Sequence, residues 1–445
     1  MTNAEYWIAP RPKHPLNACI EIPGSKSLSN RYLMLAALGS RPVHIQGLLR
    51  SRDTDLMMEA LRELGVTCQV EDDDSTRVCV TPASSGYPTG GKQVYCGLAG
   101  TVMRFVPALA MLADGPTRFY GDVQAQERPM RPLLDALQQL GATIVYEGQE
   151  GYLPFTIHPP RVFTGGAVDI DSSLSSQFIS GLLLLGSRAS EGLHIRHTGK
   201  QLPSLPHIRM TIADLREAGL HIDEDEINNQ WTVSSPSSLP YPKLEETVQI
   251  EPDLSNAAPF LGAALIAGGR VGVQHWPAST TQPGGLLPDL LQTMGADVTI
   301  STDIQRTCQV TGTRIIHGLG DYDLSAAGEL VPSLAALLVF ADSPSRLHGV
   351  GHLRGHETNR LEALTKEIQK IGGCATEMED GIEITPVPAD KLHPAIIETY
   401  HDHRMATFGA LLGLGIPGIE VVNIATTRKT LPNFVALWNQ MLQLV

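Results

Sequence analysis

The chain has no C-x-x-C pair among its six cysteines, no uninterrupted apolar run of about 18 residues, and no basic-then-apolar opening segment. The first absence removes the usual zinc and dithiol motifs. It leaves Cys19, Cys68, Cys79, Cys96, Cys308 and Cys374 to be read as reduced cysteines in strand-like or apolar runs. The other two set the expectation of a cytoplasmic protein without a membrane partner. Positive charge is also scarce: 33 Lys and Arg against 47 Asp and Glu give a formal charge of −14. That balance argues against nucleic acid or an anionic membrane surface as partner. The acidic run Glu71-Asp72-Asp73-Asp74 reads as a solvated turn. A hydrophobic content of 42% and a charged content of 18% describe a globular chain, and 445 residues exceed one ordinary core, so two domains are expected.

What the chain does have is an internal period. Six segments join small, polar or charged residues to an apolar helical run: Ser25–Arg31, Gly97–Thr101, Ser172–Gln177, Asp253–Asn256, Glu329–Ser333 and His401–Arg404. Measured from Lys26, Thr101, Ser176, Asn256, Pro332 and Arg404, the steps are 75, 75, 80, 76 and 72 residues. A second marker keeps the same time. Glycines that follow a helix end and precede a strand-like run, Gly65, Gly141, Gly219, Gly295 and Gly372, lie 76, 78, 76 and 77 residues apart. The spacing predicts six α/β repeats, strands alternating with helices. The proline-bearing stretch 234–243 falls between the third and fourth repeats and is the expected linker. The result is two domains of three repeats, with helix starts lining a cleft. Helix starts carry unpaired N–H groups and attract anions.

Several of these starts hold chemistry. In Pro23–Arg31, Lys26 lies in the first helical turn, and Ser27 and Arg31 share a face, a set suited to phosphate or carboxylate. Gly97–Arg104 allows close backbone approach to a ligand. Glu127-Arg128-Pro129-Met130 sets an Arg in extended backbone before a helix. In Leu353–Leu361, Glu357 has His356 before it and Arg360 a turn later, an arrangement that can tune a carboxyl for proton transfer. His401-Asp402-His403-Arg404 lacks the further ligands of a zinc site, so no metal is expected there. Arg428-Lys429-Thr430 precedes the last helix.

Taken with Ser175-Ser176-Gln177-Phe178, these motifs, in this order from about residue 14 to the C-terminus, resemble the 5-enolpyruvylshikimate-3-phosphate synthase family. The resemblance implies an enolpyruvyl transferase fold of six βαβαββ units, three per domain, as an inside-out α/β barrel. The expected domains are residues 1–25 with 249–445, and residues 26–248. It implies transfer of the enolpyruvyl group of phosphoenolpyruvate to the 5-hydroxyl of shikimate 3-phosphate, without metal or organic cofactor, by a monomer. Lys26, Ser27, Arg31, Ser175, Ser176, Ser204, Glu329 and His356 match shikimate 3-phosphate positions. Lys26, Gly100, Arg128, Gln177, Arg360, His403, Arg404 and Lys429 match phosphoenolpyruvate positions. Glu329 matches the base for the 5-hydroxyl and Glu357 the acid–base group at the methylene, with Lys26 between the anions. Glyphosate, which occupies the phosphoenolpyruvate site in the family, is expected to inhibit. The chain departs from common family residues at Leu98, Phe105, Glu329, His352, His356, Asn359 and His401, and in Ser204-Leu205-Pro206-His207. The sister family acting on UDP-N-acetylglucosamine uses a loop cysteine, and residues 121–130 hold none here.

Overall fold

The computed structural model describes residues 5–444 except 201, 203, 235–241 and 356. Twelve α-helices are found among these residues: α1 Lys26–Leu38, α2 Arg52–Glu63, α3 Gly100–Ala110, α4 Arg131–Gln139, α5 Gln177–Gly186, α6 Leu205–Glu217, α7 Leu254–Ala267, α8 Leu287–Thr293, α9 Val331–Leu338, α10 Arg360–Lys370, α11 His403–Gly415 and α12 Phe434–Met441. Each of the six periodic segments opens an odd-numbered helix, α1 to α11. Those helices are almost wholly buried, as α7 shows, with 13 of its 14 residues buried. Most of the even-numbered helices up to α10 are amphipathic, with charged residues on an outer face, as in α2, α4 and α10. None is long and apolar enough to cross a membrane among the described residues.

Two compact units divide the chain: Met1–Pro23 with Glu251–Val445, and Gly24–Ile250. Each has its own hydrophobic core. The expected junctions, 25/26 and 248/249, stand two residues from these. The stretch 234–243 is not where the chain crosses. Residues 235–241 lie outside the described set, but Leu244 is 4% exposed in the core of the 24–250 unit. Thr247–Gln249 then forms a parallel strand with Val43–Gln46 of the same unit. Prolines in a sequence signal a break in regular structure, and that signal does not say whether the break lies within a unit or between units.

The described strands form five four-stranded sheets and one of three strands. In each four-stranded sheet an edge strand runs parallel to its neighbour and the remaining two pair antiparallel, as in Gly166–Ile170, Leu193–His197, Gln230–Val233 and Ile222–Asp225. The repeats exchange edge strands at the ends of the chain. Leu16–Ile20 pairs in parallel with Gly269–Val273, more than 250 residues later, so this early strand completes the fourth repeat. Tyr6–Ile8 likewise joins Glu420–Val422 in the three-stranded sheet of the sixth.

Candidate active site

In the 24–250 unit, Ser25 caps α1, accepting from Leu28 N at 3.4 Å, and so places Lys26 and Ser27 in the first turn. Lys26 Nζ stands 3.9 Å from Asp53 Oδ2 and is 21% exposed. Arg31 turns inward. Its Nε donates to Thr211 Oγ1 at 2.8 Å, its Nη1 to Ser27 O at 3.0 Å, and its Nη2 to His207 O at 2.9 Å. Arg31 therefore ties α1 to α6.

The starts of α3, α5 and α6 have no side-chain cap. Gly100 is the first residue of α3. A Cβ built on it would lie 3.2 Å from Arg104 Nη1, 3.3 Å from Arg128 Nη2 and 3.3 Å from Gln177 Oε1. Three polar groups from three elements thus converge on one glycine. Arg128 is held by donation to Leu98 O at 3.1 Å. Arg104 is 4% exposed, packs its guanidinium 5.7 Å from the Phe178 ring centroid, and has no hydrogen-bond partner at Nε. Burial first, and then the charge of Arg128, push its pKa well below the ordinary arginine range, against the opposing pull of Cys96. Two neighbouring guanidiniums, one of them buried, make a place for an anion. Ser175 and Ser176 lie just before α5, where Ser175 Oγ accepts from Gln177 N at 3.3 Å. Ser204 precedes α6 with φ of 54°, left-handed backbone that is costly for a serine.

The other unit gathers the starts of α7, α9, α10 and α11. Ser255 Oγ donates to Glu329 Oε2 at 3.1 Å, and Arg404 Nη2 stands 3.5 Å from the same oxygen. Arg404 Nη1 donates to Asn256 Oδ1 at 3.2 Å. Asp402 caps α11, accepting from Arg404 N at 2.8 Å, and receives Arg360 on both oxygens, Nε at 2.7 Å and Nη2 at 3.2 Å. Arg360 Nη2 also reaches Glu357 Oε2 at 3.0 Å, and Lys429 Nζ bonds the other Glu357 oxygen. Arg360 is 2% exposed; burial opposes its charge, but Asp402 and Glu357 outweigh it and raise its pKa above the usual arginine value. His403 Nδ1 lies 3.8 Å from Asp402 Oδ1. Each unit thus carries its own group of the expected residues: Lys26, Ser27, Arg31, Gly100, Arg128, Ser175, Ser176, Gln177 and Ser204 on one, Glu329, Glu357, Arg360, His403, Arg404 and Lys429 on the other. His356 lies outside the described residues. Among those described, no three or more His, Cys, Asp or Glu side chains are arranged to hold a metal ion.

Sequence reasoning left Arg104, Ser255, Asn256 and Asp402 without a role. Asp402 had a local signal, since Asp two residues before an Arg at a helix start is a capping pattern. Arg104 had none, because its burial is decided by packing against α5.

The fold is that of the enolpyruvyl transferases. The chain is similar to EPSP synthase from Acinetobacter baumannii, with a TM-score of 0.81 and 24% identity over 99% of this chain and 98% of that one. It is also similar to the enolpyruvyl transferase NikO from Streptomyces tendae, with a TM-score of 0.73 and 19% identity over 98% of each chain. A curated relative from Bifidobacterium longum, named 3-phosphoshikimate 1-carboxyvinyltransferase, is 61% identical over 440 residues, 98% of each sequence. Residues 10–438 match the family described as EPSP synthase (3-phosphoshikimate 1-carboxyvinyltransferase). The chain belongs to that family.

Proposed function

We infer that the chain transfers the enolpyruvyl group of phosphoenolpyruvate to the 5-hydroxyl of shikimate 3-phosphate, releasing phosphate, in the shikimate route to aromatic amino acids, and that it does so with the residues named above. The observation that carries the residue roles is the pairing of two carboxylates with cations at helix starts: Glu329 with Arg404, and Glu357 with both Arg360 and Lys429. Cationic neighbours keep a carboxyl ionised and able to take a proton, and binding an anion between them weakens that hold. Glu329 accepts the proton of the 5-hydroxyl as its oxygen bonds to C2 of phosphoenolpyruvate. Glu357, protonated once the bound anions offset Arg360 and Lys429, delivers that proton to C3, giving a tetrahedral intermediate. It then takes a proton back from C3 as the bond from C2 to the phosphate oxygen breaks, and the proton held by Glu329 leaves with the phosphate.

Two phosphates and two carboxylates bring roughly six negative charges near neutral pH. Lys26, Arg128, Arg360, Arg404 and Lys429 answer them, Arg104 adds a cation, and Gly100 admits the ligand to the start of α3. Lys26, Ser27, Ser175, Ser176, Ser204 and His356 hold shikimate 3-phosphate. Arg31 joins them at shikimate 3-phosphate while fixing α1 against α6. Gln177 and His403 complete the phosphoenolpyruvate shell, where glyphosate competes. No metal or organic cofactor is required, and the enzyme works as a cytoplasmic monomer.

The test is phosphate release by purified protein given both substrates. Glu357→Gln removes the proton carrier but keeps shape, and should cut kcat by about 100-fold or more with both ligands still bound. Turnover within tenfold of the native protein would refute the role of Glu357.

A further inference from the structure

Glu367 is a buried carboxylate that the mechanism does not use. It lies on α10 with 0% exposure, seven residues beyond Arg360. Burying a charge is costly unless several donors meet it, and here three do. Lys370 Nζ donates to Oε2 at 2.6 Å, Glu398 N to Oε2 at 3.1 Å, and the Tyr400 hydroxyl to Oε1 at 2.7 Å. Lys370 also donates to Ile396 O at 3.0 Å. Residues 396–402 are therefore laced antiparallel along α10: Ile396 at Lys370, Glu398 and Tyr400 at Glu367, and Asp402 at Arg360.

The laced segment is strained. Asp402 N donates to Thr399 O at 2.8 Å, closing a tight turn whose central residues Tyr400 and His401 have φ of 52° and 58°. Two successive positive φ values are the sign pattern of a type I′ turn, which is ordinarily filled by Asn and Gly. Tyr400 is ill suited to it and His401 only tolerates it, and such backbone persists only where its surroundings hold it.

We propose that Glu367 is a positioning residue: through Tyr400 it holds the strained 399–402 turn in the one form that presents Asp402 to Arg360 and starts α11 at His403, with Arg404 in its first turn. This rests on the reading that Arg360 and Arg404 bind phosphoenolpyruvate. The Glu367 carboxylate touches no reacting atom. It sets where two cations of the site stand.

The test is steady-state kinetics with thermal melting on four variants. Tyr400→Phe deletes one hydroxyl and should raise the KM for phosphoenolpyruvate by about tenfold, the worth of a hydrogen bond to a charged group. The KM for shikimate 3-phosphate and the Tm should move little. Glu367→Gln should act in the same direction. Adding His401→Gly to Tyr400→Phe supplies a residue at ease with positive φ, and should return the KM toward the native value. Arg360→Lys reports on the underlying site. A raised KM there, with Tyr400→Phe unchanged or not rescued by glycine, overturns the positioning role alone. No rise in Arg360→Lys overturns both. A fall in kcat that follows a fall in Tm in Tyr400→Phe, without rescue, also overturns it.

Discussion

A methyl group on Gly100 would stand 3.2–3.3 Å from Arg104, Arg128 and Gln177, closer than most side-chain contacts allow. Gly100→Ala should therefore raise the KM for phosphoenolpyruvate and raise the glyphosate concentration needed for half-inhibition more strongly. Inhibition curves at several phosphoenolpyruvate concentrations check it, and unchanged inhibition would remove the glyphosate reading. Arg104→Met keeps the packing on Phe178 and deletes the charge. It should weaken phosphoenolpyruvate binding by about 10- to 100-fold. Its melting temperature should hold or rise, because a buried cation is costly. Lys26→Ala should lose nearly all turnover. At this scale the sequence showed which residue types recur at helix starts. It did not show which arginines turn inward. Arg31, Arg104 and Arg128 read alike in one dimension, yet one ties two helices, one is buried beside an aromatic ring and one hangs from a loop carbonyl.

Helix ends were legible because caps are local. Ser25, Asp253 and Asp402 each accept a backbone N–H within three residues, and the glycines at 65, 141, 219, 295 and 372 all have positive φ. Replacing Asp253 by Ala should cost about 1 kcal/mol of stability, measured as a lower denaturation midpoint. Strand partners were not legible, since pairing is chosen by contacts hundreds of residues apart. Close approach of layers leaves a fainter trace. A Cβ on Gly312 would fall 2.0 Å from Ala264 O of α7. Gly312→Ala should thus destabilise by about 1–3 kcal/mol, an overpacking cost, visible as a lower Tm with KM values unchanged in the folded fraction.

Over the whole molecule, ion-paired surface carboxylates each add a small share to stability that acid removes. Hydrogen bonding to Arg196 lowers the pKa of Asp169, to Arg118 that of Glu147, and to His317 that of Asp342. Each native pKa lies below its unfolded value, so in acid the unfolded chain takes up more protons. The contribution is complete above the ordinary carboxylate range and is lost as pH falls through the depressed values. Melting temperature should stay level from neutral pH to about 5 and then decline; a flat profile down to pH 3 would contradict this. The count of six repeats came from periodicity alone, whereas the crossings at 23/24 and 250/251 carry only Pro23-Gly24 and Pro252, marks they share with turns inside a unit.

The pairing of Leu16–Ile20 with Gly269–Val273 sets an order of events during synthesis. Leu16–Ile20 leaves the ribosome without a partner and must wait roughly 250 residues for one, about 12–50 seconds at 5–20 residues per second. Gly24–Ile250 is contiguous and can finish its own core in that interval. The inserted half is thus born before its host, and Leu16–Ile20 stays exposed to chaperones until the chain comes back for it.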